Sequence, residues 1–113
     1  MLLTMKRRAP TLAAAAMLVF GIGAYAGAAA PDTVTIANFA FSPTPLTVAP
    51  GTKVTWNNKD EEPHTVTSAD GGQTFKSPAL DTDDKFSFTF NKSGTYKYFC
   101  LIHRQMVGTV IVK

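Results

Sequence analysis

The sequence predicts an all-β fold, a small sandwich of strands, on three observations. Apolar residues alternate with polar ones at period two in one segment after another. Turn residues punctuate these segments roughly every eight to twelve positions. No window after residue 31 carries a helical period.

The segments follow in order. Val34 and Ile36 alternate with Thr33 and Thr35. Leu46 and Val48 flank Thr47, and Pro50-Gly51 marks a turn. Val54 and Trp56 alternate with Lys53 and Thr55, and Val66 lies in a short strand after His64. Asp70-Gly71-Gly72 and Ser77-Pro78 mark a longer loop region. Phe86, Phe88 and Phe90 alternate with Lys85, Ser87 and Thr89. Ser93-Gly94 turns the chain, after which Tyr96, Tyr98 and Cys100 fall on one face. Val110 and Val112 alternate with Thr109 and Ile111. The whole reads as an antiparallel sandwich, without internal repeats, linkers or low-complexity segments.

The start of the chain is of another kind. Lys6, Arg7 and Arg8 form a basic cluster, and the 22 residues from Ala9 to Ala30 carry no charge. Small-x-small sites recur at Ala24–Ala30. This is the pattern of a secretory signal peptide, so we expect residues 1–28 to be the signal and residues 29–113 the domain. Left uncleaved, the same stretch would serve as a membrane anchor. Export implies a periplasmic location, with no stable membrane association once the signal is removed.

Export also changes the charge argument. The chain has 11 basic and 8 acidic residues, a formal charge of +3. Three of the basic residues lie in the signal and no acidic one does, so residues 29–113 carry 8 of each sign. A neutral domain lacks the clustered basic face that nucleic-acid binding needs. The domain is expected to be a monomer.

The signal also takes three of the four methionines. One Cys, one Met, one Trp and two His remain. A lone Cys in an exported domain has no internal disulfide partner and calls for another explanation. Cys100, His103 and Met106 stand three residues apart, between a strand ending near Cys100 and a strand beginning near Val107. All three can converge at one end of the sandwich. His64, where a turn behind Pro63 enters a strand, is the candidate fourth group. Structural zinc sites rarely use Met. Two imidazoles and a thiolate in a plane with a weak axial thioether suit copper in an electron-transfer site. Taken singly, the Cys is a small buried hydrophobe, the Met core filler and each His a turn residue. Taken together, the domain's only Cys, only Met and both His would all have to fall there by accident.

The spacing C-x2-H-x2-M after "GTYKYF" and before "VGTVIV" resembles the cupredoxins, the small blue copper proteins. "FAFSPTPLTVAPGTKVTWNNKDEEPHTV" is similar to the family's stretch that leads to its first His ligand. Within the family, the short ligand loop looks like that of the amicyanins; plastocyanins and pseudoazurins have longer ones. The resemblance implies a Greek-key β-sandwich and single-electron transfer through one copper ion, Cu(I)/Cu(II), per chain. It implies His64, Cys100 and His103 as equatorial ligands and Met106 as the axial one. It also implies docking near His103 by a redox partner protein, such as a dehydrogenase or a c-type cytochrome.

Some positions depart from the family pattern. Thr65 stands where the family often has an Asn that ties the two ligand loops. Ile102 and Arg104 replace the prolines that flank the second His of amicyanins, and Gln105 replaces an aromatic. Two acidic clusters, Asp60-Glu61-Glu62 and Asp81/Asp83/Asp84, read either as solvated loops or as an acidic docking surface. Copper storage or delivery to another cuproprotein is the alternative function. Enzymatic turnover is disfavoured, because two histidines cannot supply a second, His-rich copper site and four protein ligands leave no open position.

Overall fold

A computed structural model describes residues 32–113; the expected signal segment, residues 1–28, lies outside them. Eight strands run in chain order: β1 Thr33–Ala37, β2 Ala40–Ser42, β3 Leu46–Val48, β4 Thr52–Asn58, β5 Thr67–Ser68, β6 Lys85–Phe90, β7 Gly94–Phe99 and β8 Val107–Val112. They form two four-stranded sheets, β2-β1-β4-β6 and β3-β8-β7-β5. The described residues include no helix, and so none long and apolar enough to cross a membrane.

The all-β sandwich is as expected, but its pairing is mixed rather than purely antiparallel. β1 runs parallel to β4, with Val34 opposite Trp56. β3 runs parallel to β8, with Leu46 opposite Val110. After the β1–β2 hairpin the chain crosses to the other sheet as β3 and returns as β4, which therefore arrives beside β1 in the same direction. Side chains alternate with period two in both kinds of ladder, so alternation carries no sign of direction.

The inward residues of the two sheets make one core. Val34, Ile36, Val54 and Trp56 come from one side, and Leu46, Val48, Tyr98, Val110 and Val112 from the other. The Trp56 indole bridges the layers, 5.4 Å from the Tyr98 ring and 5.7 Å from Phe75. Large rings contribute most of the buried area in so small a domain.

Two turns take different solutions. Between β3 and β4, Pro50-Gly51 makes a type II turn: Gly51 has φ +92° and the Thr52 N–H donates to Ala49 O at 3.2 Å. The β1–β2 hairpin closes with a two-residue turn in which Asn38 has φ +53° and Phe39 φ +58°. Both central residues of such a turn need positive φ, and glycine is the usual second one. Here a bulky phenylalanine occupies it.

The loop after β5 is organised by Asp70. Its carboxylate accepts hydrogen bonds from the hydroxyls of Ser68 and Thr74 and from the N–H groups of Gln73 and Thr74. The Ser68 and Thr74 hydroxyls lead in holding its pKa down at about 2, against an ordinary 3.8. A carboxyl depressed on folding stabilises the fold fully above its unfolded pKa, and that contribution fades as pH falls toward 2. Asp70→Asn in the copper-free protein should therefore lower the melting temperature at pH 6. The gap to wild type should close between pH 4 and pH 2. A gap that stays constant across that range would remove Asp70 as the cause.

Candidate metal centre

Cys100 immediately follows β7, and β8 begins at Val107, so residues 100–106 form the whole connection. That loop is closed on itself. The Cys100 N–H donates to Met106 O at 3.1 Å and the Met106 N–H to His103 O at 2.9 Å. Cys100 is fully buried and Met106 buried, both within the core cluster.

His64 arrives from the other side. Asn58, fully buried at the end of β4, clips the intervening loop. Its side-chain amide donates to Leu80 O (2.8 Å) and Glu62 O (3.0 Å), and its Oδ1 accepts the Asp60 N–H (2.9 Å). His64 and Leu80 then exchange both backbone hydrogen bonds, at 3.1 and 2.8 Å. The imidazole is fully buried.

These elements bring three expected donors together. Cys100 Sγ lies 3.8 Å from the Nδ1 atom of each histidine, and the two Nδ1 atoms are 3.2 Å apart. A point equidistant from the three lies about 2.1 Å from each, the length of a metal–nitrogen bond and close to that of a metal–thiolate bond. Among the described residues this is the one cluster of three His, Cys, Asp or Glu donors that could hold a metal ion. Met106 shares their loop and its backbone hydrogen bonds reach both Cys100 and His103. His64 is enclosed and His103 partly exposed, with Ile102 beside it 48% exposed.

Surrounding contacts hold His64 and Cys100 in place. His64 Nε2 is 2.9 Å from Asp60 Oδ2. A carboxylate only accepts, so Nε2 carries a hydrogen, and Nδ1 is the ring nitrogen turned toward Cys100 and His103. Burial pushes the Asp60 carboxyl up, but the N–H groups of Phe39 and Asn38 together with His64 outweigh it and hold it below the usual carboxylate range. The Thr65 N–H donates to Cys100 Sγ at 3.3 Å and holds the sulfur in place. Thr65 also ties the His64 and Cys100 loops, as an acceptor: its hydroxyl receives the Leu101 N–H at 2.8 Å.

Asp60 was legible only as part of an acidic run. The structure separates it from its neighbours: Glu61 and Glu62 are exposed, whereas the Asp60 side chain is 12% exposed and engaged. The two acidic clusters also meet. Thr82 Oγ1 donates to Asp60 O, the Asp83 N–H donates to Asn58 O, and Lys59 pairs with Asp83 at 2.9 Å. On the other sheet, a groove of about 550 Å³ runs along the outer face of β7 and β8. Phe99 and Val107 form its apolar strip, Arg104 stacks over the Phe99 ring at 5.5 Å, and Lys97 stands at its side. Neither cation has an ion-pair partner among the described residues.

Comparison with known proteins agrees with this centre. Residues 10–112 match the family model of the cupredoxin-like domain. The amicyanin of Paracoccus denitrificans is 35% identical over 83 residues, 71% of this chain and 63% of that protein. The chain thus spans rather less than two thirds of that relative. Among solved structures, a purple cupredoxin from Nitrosopumilus maritimus is similar with a TM-score of 0.67 and 38% identity, covering 72% of this chain and 98% of that one. A Cu(I) form of an amicyanin variant is similar with a TM-score of 0.68 and 34% identity, covering 74% and 82%. Copper is the cofactor that these relatives and the soft thiolate–imidazole donor set indicate. The fold, the donor triangle and the family match agree, and the chain belongs to the cupredoxins.

Proposed function

We propose that this chain is an exported, periplasmic carrier of single electrons, holding one type 1 copper ion. Residues 1–28 act as the signal and residues 29–113 as the working domain. His64, Cys100, His103 and Met106 would hold the ion, the thiolate and the two imidazoles as its strong donors and the thioether as a weak one. The observation that carries this reading is the convergence of Cys100 Sγ with the two Nδ1 atoms in a buried site. When bound, copper supplies a one-electron Cu(I)/Cu(II) couple. The protein's part is to hold the donors still. Asn58, Thr65 and the Cys100–Met106 backbone bond fix them through contacts that need no metal, so little has to move when the oxidation state changes.

Titrating the metal-free protein with Cu(II) tests this directly. One equivalent should produce an intense visible charge-transfer band and a reversible one-electron wave. A colourless complex would overturn the type 1 reading. Copper that passes to an acceptor protein faster than electrons exchange would establish the delivery function instead.

Electrons should enter and leave through the partly exposed His103, from a partner protein such as a dehydrogenase or a c-type cytochrome. Ile102 is the exposed apolar residue next to it. Ile102→Glu should slow electron exchange with the partner about tenfold and leave the visible spectrum unchanged. Lys92, in the turn between β6 and β7 at the far end of the barrel-like sandwich, supplies the control. Equal slowing by Lys92→Glu would show that the docking face lies elsewhere.

A further inference from the structure

The hairpin turn between β1 and β2 carries an aromatic ring where its backbone calls for glycine. Phe39 has φ +58°, directly after Asn38 at +53°. A bulky residue in the left-handed region is strained, and such strain persists only where the surroundings over-determine it. Two sets of contacts do so here. The Phe39 and Asn38 N–H groups donate to the two oxygens of the Asp60 carboxylate, at 2.9 and 2.7 Å. The same carboxylate takes His64 Nε2 at 2.9 Å. The ring itself lies 5.3 Å from the His64 imidazole and 5.0 Å from that of His103, nearly perpendicular to both at 90° and 85°. The two imidazoles are 4.9 Å apart, so the three rings form a compact triangle.

We propose that Phe39 is a positioning residue that clamps both imidazoles of the metal centre, with Asp60 locking the turn that presents it. This rests on the copper reading of the site. The clamp matters most for His103. His64 is gripped by Asp60 and by the bridge to Leu80. His103 sits on the exposed loop, where its carbonyl accepts the Met106 N–H and its ring meets Phe39. Edge-to-face contact with an aromatic ring restricts rotation of the imidazole about its χ angles and keeps Nδ1 aimed at the donor triangle.

The test replaces Phe39 by residues that suit the turn at least as well. Phe39→Gly and Phe39→Asn both tolerate positive φ, so the copper-free variants should melt at or above the wild-type temperature. In the copper-loaded variants, EDTA should remove Cu(II) about tenfold faster than from wild type, with a shifted visible band. Removal rates within twofold of wild type and an unchanged band in both variants would overturn the clamp. Carbon-13 relaxation of the His103 ring in the copper-free protein gives a reading independent of copper. Larger ring motion in both variants supports the clamp, and unchanged motion overturns it. A wild-type protein that takes up no copper would defeat the function proposed above, while the ring relaxation would still decide the role of Phe39.

Discussion

Replacing Cys100 by serine should abolish the intense visible absorption of the copper-loaded protein while the fold survives. The colour of a type 1 site arises from charge transfer out of a thiolate, and a serine oxygen supplies no comparable transition in the visible. Serine is close in size to cysteine, and the Thr65 N–H that now points at Sγ can donate to Oγ. Cys100 is fully buried, so the hydroxyl costs about 1–3 kcal/mol at most. Circular dichroism of the metal-free variant checks the fold and the Cu(II) titration checks the colour. A variant that remains equally blue would remove Cys100 from the ligand set. Met106→Leu makes the informative contrast. Leucine nearly matches methionine in volume, so the buried site should tolerate it for under about 1.5 kcal/mol. Losing a weak axial thioether should leave the colour in place and raise the reduction potential, because Cu(II) loses more than Cu(I). A lowered potential would count against Met106 as a ligand.

The largest loss of stability should come from Gly108→Ala. Gly108 pairs with Tyr98 across β7 and β8, and the phenol end of the tyrosine ring fills the space beside the glycine. A β-carbon there would fall 2.3 Å from Cζ, 2.4 Å from Oη and 2.8 Å from Cε2 of Tyr98. The ring cannot yield easily. It is 1% exposed and packs against Phe41 at 4.8 Å and Trp56 at 5.4 Å. Forcing a methyl into a filled core costs about 1–3 kcal/mol, and more where the obstacle is a rigid ring. For a domain this small, about 3 kcal/mol corresponds to a fall in melting temperature on the order of 15 °C. A double-mutant cycle identifies the cause. In a Tyr98→Leu background the alanine should cost much less, since the obstructing ring is gone. A full cost retained in that background would place the obstruction elsewhere.

Most of the core could be read from alternation alone. Val34, Ile36, Val54, Trp56, Val110 and Val112 are each at most 1% exposed, where the period-two pattern puts them. The strand β2 escaped because it is three residues long with a single inward residue, Phe41, and prolines follow it. The turn before it contains neither glycine nor proline, so nothing local announced a hairpin. The parallel pairings escaped because strand direction depends on the crossing between sheets. At the metal centre, residue types and spacing pointed to Cys100 and His103, which the structure brings together with His64, and Met106 lies on the same loop. The supporting contacts were not visible in that way. Asp60 acts on Asn38 and Phe39 from 22 and 21 residues away, a pairing that no sequence window contains. The Asn58 clip likewise depends on Leu80, on a loop more than twenty residues further along.

The placement of charge bears on how the molecule meets its partner. Residues 29–113 are formally neutral, so a charged partner exerts little net pull on them. Yet Glu61, Glu62, Asp81 and Asp84 are exposed on loops around the ends of β4 and β6, while Arg104 and Lys97 stand on the outer face of the opposite sheet. Charge of each sign is thus gathered locally although the sum is zero, and a partner's own charges act on those patches. For the docking proposed near His103, complementary patches on a partner would raise the fraction of collisions that succeed. Dissolved salt confines such attraction to about one Debye length, roughly 10 Å at 0.1 M. Association should therefore slow as salt is added, for a domain whose formal charge is zero.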